Sequence, residues 1–283
     1  MSKKVFARAL NHIDDLKSRG KLSFLRNKNL IGDDIDIQFR GDYLNLYYKG
    51  ASLLKFKWLS QNSYEITISG KYLKPVGITW LKPKKVFDDN SIQPVRKNFK
   101  AIVAQLKSNI RYLGKGKENA FEQIFIENNC NVRNRPSFIV IDRQVVIPGS
   151  KDRLDLVAIS KIDGANEYRL NLIELKYGED KRIPKVHDEQ LEKYYRRFKD
   201  DYSNIAKQYQ AIIRQKKSIG LLPYFTQEIS ISQDSSTMKK IAVFGNIRYD
   251  HRFVEQARRQ FDENTFYVIQ NNILEESKME KCN

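Results

Sequence analysis

The chain has 283 residues, 41% of them apolar, enough to build one large core or two ordinary ones, which excludes a disordered tail. A net charge of +17 and a pI near 9.6 point to a polyanionic partner, nucleic acid first, with a membrane surface or an acidic protein also fitting the sign. The only two cysteines, Cys130 and Cys282, exclude a disulfide framework and a zinc site, and no apolar run nears the roughly 18 residues needed to span a bilayer.

The expected setting is therefore the reducing cytoplasm, with no export signal and no membrane partner. The charge is unevenly spread. Residues 1–117 carry 24 Lys and Arg against 9 Asp and Glu, whereas residues 118–283 carry 27 against 25. That split suits one part that holds a phosphate backbone and a nearly neutral part where carboxylates gather a metal ion.

From the N-terminus, Val5, Leu10, Ile13 and Leu16 recur at a helical period, so a short amphipathic helix is expected over 3–19, stopped at Gly20. The period then changes to two. Ile35, Ile37 and Phe39 alternate with polar residues, Gly41-Asp42 turns the chain, and strands follow at Tyr43–Tyr48, Leu53–Trp58 and Tyr64–Ser69, giving an antiparallel meander. Its aromatics, Tyr43, Tyr47, Tyr48, Phe56, Trp58 and Tyr64, interleave with Lys49, Lys55, Lys57 and Lys71. These lysines are the candidate nucleic-acid contacts, with the aromatics as stacking platforms, although alternating aromatics usually pack a core, the stronger reading for any one of them and more so for Tyr43 and Tyr47 than for Tyr48. Residues 82–91 read as connector, and 95–112 as a helix ended by Gly114 and Gly116. A boundary at 114 divides a basic region, 1–114, from a second domain, 115–283.

The second part reads as a helix over about 117–128 with Glu118 and Glu122 four apart. Strands follow at Phe138–Ile141, continuing after a turn through Val145–Ile147, then at Arg153–Ser160 and Tyr168–Lys176. One long helix from Val186 to Lys217, a strand at Lys240–Phe244, a helix at 251–260 and a strand at Thr265–Ile269 complete it. This order predicts an α/β domain with a mixed sheet. The histidines, His12, His187 and His251, show neither metal-ligand spacing nor a paired nucleophile.

Three charges interrupt the apolar strands, and burying them is costly unless chemistry requires them. Glu174 and Lys176, two apart in Leu172-Ile173-Glu174-Leu175-Lys176, share one face while Ile173 and Leu175 take the other. Asp155 stands in the preceding strand. The turn chemistry of Asp163-Gly164-Ala165-Asn166 makes the two strands a hairpin that brings the carboxylates together.

With its helix–strand–strand–strand–helix–strand order, this constellation resembles the PD-(D/E)XK nuclease superfamily over about residues 115–270. Leu154 stands where the name has Pro. Gln190 and Tyr194 look like the Gln-x-x-x-Tyr motif of the RecB-like branch, on the helix after the Glu-x-Lys strand. The resemblance implies a restriction-endonuclease-like αβββαβ core with Asp155, Glu174 and Lys176 as catalytic residues. Asp155, Glu174, the Leu175 carbonyl and Glu122 would hold Mg²⁺ or its substitute Mn²⁺, with Glu118 as the other helix glutamate and Gln190 and Tyr194 in support. It implies a magnesium-dependent deoxyribonuclease, an endonuclease first, acting in defence against foreign DNA. The alternatives are a non-catalytic nucleic-acid binder on the same fold, or a nuclease whose N-terminal region docks a protein partner or a second copy of the chain.

Overall fold

Strict alternation builds the first sheet. In β1 (Asp36–Phe39), β2 (Tyr43–Tyr48), β3 (Ala51–Ser60), β4 (Ser63–Thr67) and β5 (Lys84–Asp88), each strand pairs antiparallel with the next. Ile37, Phe39, Leu44, Leu46, Tyr48, Leu54, Phe56, Trp58, Tyr64, Ile66 and Phe87 share the buried face, as the register requires. The β2–β3 turn is two residues long, Lys49 (φ 45°) and Gly50 (φ 71°), both left-handed as a type I′ hairpin demands. A Cβ on Gly50 would stand 2.6 Å from the Asn119 carbonyl oxygen, so only glycine fits. The short helices α1 (Lys28–Ile31), α2 (Gly70–Leu73) and α3 (Gln93–Lys97) surround α4 (Phe99–Leu113), which buries Phe99, Ile102, Val103, Leu106 and Ile110 and packs on β3.

This computed structural model describes residues 6–73, 82–113, 117–129, 138–146, 152–177, 185–222, 228–245, 259, 266–269 and 279–281. The chain forms two compact units. Ala7–Gln123 with Arg214–Leu221 is one, and Met1–Phe6, Ile124–Ile213 and Leu222–Asn283 make the other. Helix α5 (Lys117–Asn129) contributes to both.

Two expectations for the first unit fail. No helix spans 6–19; a single 3₁₀ turn, Ile13–Leu16, takes its place. The Gln215 amide receives the Leu10 N–H and donates to its carbonyl, both at 2.8 Å, and Asn11 N–H reaches the Gly41 carbonyl at 2.9 Å. The backbone is satisfied from elsewhere in the unit, so helical bonds are unnecessary. The supposed connector contains β5, paired along Ser63–Thr67. With only Phe87 buried and Lys84 pairing with Glu65 at 2.9 Å, it is a charged edge strand.

The second unit holds a six-stranded mixed sheet, so the protein is mixed α/β. Its strands are β6 (Ile139–Val146), β7 (Arg153–Lys161), β8 (Tyr168–Tyr177), β9 (Lys239–Gly245), β10 (Phe266–Ile269) and β11 (Met279–Lys281), lying in the order β11-β10-β9-β8-β7-β6. β6, β7 and β8 form an antiparallel meander, β8, β9 and β10 run parallel, and β11 returns antiparallel. The turn at Gly164 (φ 74°) closes the β7–β8 hairpin, with Ile162 N–H on the Glu167 carbonyl at 2.9 Å. β8 is buried continuously from Leu170 to Lys176, as befits a strand covered on both faces.

The parallel step from β8 to β9 needs a crossover, which helices supply. The expected single helix is broken: a π-helical turn, Lys185–Leu191, leads into α6 (Glu192–Asp200), and α7 (Tyr202–Ser218) follows a kink at Asp201 (φ −130°, ψ 30°). The Asp201 carboxylate accepts from the Asn204 amide at 3.1 Å, a local side-chain bond of the kind that favours helix starts. The expected helix at 251–260 lies outside the described residues except for Arg259, as do Gly114 and Gly116.

Candidate active site

The ladder between β7 and β8 sets the geometry. It pairs Leu156 with Ile173 and Val157 with Leu172; one step further in the same register puts Asp155 opposite Glu174. There the Leu175 N–H donates not to a strand carbonyl but to Asp155 Oδ2, at 2.9 Å. The carboxylate of one strand is thereby fixed against the backbone of the next. Asp155 is half-buried, whereas Glu174 is 2% and Lys176 8% exposed.

Glu174 and Lys176 share a face, as alternation requires, and Lys176 Nζ donates to Glu174 Oε1 at 2.8 Å. On the parallel side they sit beside Ala242 and Phe244 of β9, both fully buried. The hydration lost by a buried ion pair can exceed what its mutual attraction restores, so this pair is weak evidence of a purely stabilising role.

The π-helical turn packs on β8 and β9, and α6 continues from it. Glu192 at its start accepts from Lys240 Nζ and Arg196 Nε, each at 2.8 Å, which holds its carboxyl below the ordinary range, and Lys240 is the β9 partner of Leu172. Two residues along, Tyr194 is buried and donates its hydroxyl to the Arg153 carbonyl at 2.7 Å. Burial, then the negative charges of Glu174, Asp152 and Asp155, push that phenol well above its usual range, so it stays protonated as a donor. Tyr194 thus stands among the carboxylates. Gln190 is half-buried on the π-helical turn before α6. Asp152 pairs with Lys193 at an exposed position, and Glu179 lies outside the described residues.

The helix glutamates lie on the part of α5 that belongs to the other unit; Glu122 is 5% exposed and Glu118 is in solvent. Among the described residues no group of three or more His, Cys, Asp or Glu side chains converges on a metal position. Two carboxylates and the carbonyl of Leu175 are nonetheless an all-oxygen set of the hard type Mg²⁺ prefers, and Mg²⁺ commonly takes only one or two carboxylates with water and phosphate completing its shell.

Sequence reasoning missed Gln144. Val145 pairs with Leu154 and Arg143 with Leu156, so Gln144 falls opposite Asp155, in a left-handed conformation (φ 50°) that costs a non-glycine residue about 1–2 kcal/mol. The signal was Asp142-Arg143-Gln144 interrupting an apolar run, which reads as a turn but is an irregular stretch inside one strand. Strain of this kind gathers at functional sites.

The four candidate nucleic-acid lysines are dispersed over the other unit. Lys49 is exposed in the β2–β3 turn, Lys55 Nζ lies 3.9 Å from the Tyr43 ring centre, Lys57 pairs with Asp42 at 3.0 Å, and exposed Lys71 stands 4.9 Å from the Tyr72 ring centre. Phe56, Trp58 and Tyr64 are core. Tyr48 is 2% exposed and Tyr47 9%, while Tyr43 is half-buried, so the expected order is reversed: Tyr48 faces the core with Leu44 and Leu46. Searches of protein-family models, curated proteins and solved structures gave no match to this chain.

Proposed function

We propose that the protein is a metal-dependent deoxyribonuclease that hydrolyses phosphodiester bonds with a PD-(D/E)XK-type site on a restriction-endonuclease-like core. The observation that carries this reading is the Asp155 carboxylate bonded to the Leu175 N–H, beside the buried Glu174–Lys176 pair on the next strand. The resident cation would be Mg²⁺ or Mn²⁺, held by Asp155, Glu174 and the Leu175 carbonyl; when bound it would neutralise backbone charge and acidify a water.

The chain's own residues supply the rest. The Leu175 N–H orients the Asp155 carboxylate, and the Lys176 ammonium, bonded to Glu174, would orient an attacking water and offset the two acids. Tyr194 tethers α6 to the start of β7 through the Arg153 carbonyl. Half-exposed Asp155 marks the side from which a phosphodiester would enter.

The test is incubation of the full chain with supercoiled plasmid, linear duplex and single-stranded DNA, each with Mg²⁺, Mn²⁺ or EDTA. Nicking of closed circles that depends on the cation and disappears in Asp155→Asn supports an endonuclease. Equal cleavage by wild type and variant, or none on any substrate with either cation, rejects the reading. The second reading, a nucleic-acid binder that does not hydrolyse, draws on the near-complete burial of Glu174 and predicts binding without cleavage.

A further inference from the structure

A cavity of about 760 Å³ in the unit of Ala7–Gln123 and Arg214–Leu221 has four cations in its wall, Arg26, Lys28, Arg96 and Lys97, and no carboxylate among the described residues. Two of them are fixed by neutral groups. Arg26 donates through Nε to the Leu16 carbonyl and through Nη1 to the Ile219 carbonyl at 2.9 Å, while Lys28 Nζ reaches the Ile35 carbonyl at 3.3 Å. A carbonyl orients a cation without cancelling its charge, so both are pre-positioned and uncompensated. Arg96 and Lys97, exposed on α3, form no ion pair among the described residues. Asp89, which shares a smaller neighbouring recess with Arg96, is already taken by Lys21 and the Tyr64 hydroxyl, each at 2.7 Å.

Four like charges around one cavity repel one another, and no described residue of its wall offsets them. We propose that this cavity is a phosphate-binding site, taking the phosphate groups of a nucleic-acid strand or of a free nucleotide. Its volume lies within the ~300–1,000 Å³ range of small-ligand pockets, and Ser18, Ser23 and Asn27 add polar groups to the wall. The site does not depend on the nuclease reading, because it requires no bond to be broken. It also relocates the anion-holding surface away from Lys55 and Lys57, whose charges are engaged on their own sheet.

The test uses the full chain in EDTA, so that its result stands whatever the cleavage assays give. Binding of a labelled single-stranded oligonucleotide is titrated against salt by fluorescence anisotropy, and melting is followed with pyrophosphate and with a deoxynucleoside triphosphate. Arg96→Ala/Lys97→Ala, which alters exposed side chains only, is compared with Lys55→Ala/Lys57→Ala. If a strand occupies the cavity, the first variant binds the oligonucleotide about tenfold more weakly and its salt slope falls by about 1.4, at ~0.7 per phosphate contact, while the second changes little. If the source is a free nucleotide, pyrophosphate and the triphosphate raise the wild-type melting temperature and not that of the first variant, with oligonucleotide binding alike in both. Wild type and first variant indistinguishable in both measurements, or a wild type that responds to none of the probes, overturns the site.

Discussion

At the scale of single residues, the contacts decide which substitutions are informative. Glu174 is almost fully buried on Lys176, so Glu174→Ala removes one partner of a buried ion pair and should cost about 3–5 kcal/mol, visible as a lower urea midpoint. Lost cleavage in that variant would be ambiguous. Asp155 is half-buried, and Asp155→Asn retains an oxygen for the Leu175 N–H, so its stability should stay within about 1 kcal/mol of wild type while cleavage is abolished. DNA binding should hold or strengthen, since a negative charge near the phosphates is gone. An active Asp155→Asn enzyme places the metal ligands elsewhere. Tyr194→Phe deletes one buried hydroxyl and leaves the Arg153 carbonyl without that donor; the expected loss is about 1 kcal/mol in urea denaturation, with the fold retained by circular dichroism.

At the scale of elements, what was legible followed from burial. β8 was legible because its buried stretch from Leu170 to Lys176 is apolar on both faces apart from Asn171, Glu174 and Lys176, and the β7–β8 hairpin because turn residues stand between two largely apolar runs. β5 was not, because an edge strand with one buried residue carries no alternation to read. The helix expected over 3–19 had the right period, but its backbone bonds are replaced by the Gln215 amide, 205 positions away, which no local pattern reports. For the aromatics, Leu44 and Leu46 carried the answer, since Tyr48 shares their parity and Tyr43 does not. Helix α6 supplies a pH test. Glu192 is held below its ordinary value of 4.5 by bonds from Lys240, then Arg196, so it contributes stability that is complete above that value and is lost as pH falls through the lower folded-state one. Glu192→Gln should therefore be less stable than wild type at pH 7, by about 0.5 kcal/mol for so solvated a pair, and should match it in acid. A stability difference unchanged between pH 7 and pH 3 would show that the carboxylate charge is not what pins the helix.

At the scale of the whole molecule, the chain order and the compact units differ, and the difference decides how the halves can be studied. Ala7–Gln123 with Arg214–Leu221 carries 25 Lys and Arg against 11 Asp and Glu, a net +14 of the +17, so the basic character stays with the first sheet. That unit is completed by a segment about a hundred residues downstream. Gln215 satisfies both backbone groups of Leu10 at 2.8 Å, buried Lys216 donates to Gln38 at 3.0 Å, and the Ile219 carbonyl receives Arg26. A fragment ending near residue 117 loses all of these, and each buried polar group left without its partner costs about 1–3 kcal/mol, which together rivals the whole stability of a small domain. Fragment 1–117 should therefore be unfolded or aggregate, with far-UV circular dichroism lacking a cooperative transition. Gln215→Ala in the full chain tests the cause directly: it orphans the N–H and carbonyl of Leu10 and should lower stability by about 2–4 kcal/mol, whereas Gln215→Glu, which can still accept the N–H, should lose less. A soluble 1–117 fragment that melts cooperatively, together with a Gln215→Ala chain as stable as wild type, would mean the first sheet folds without its downstream segment and that the two halves can be separated at residue 117 after all.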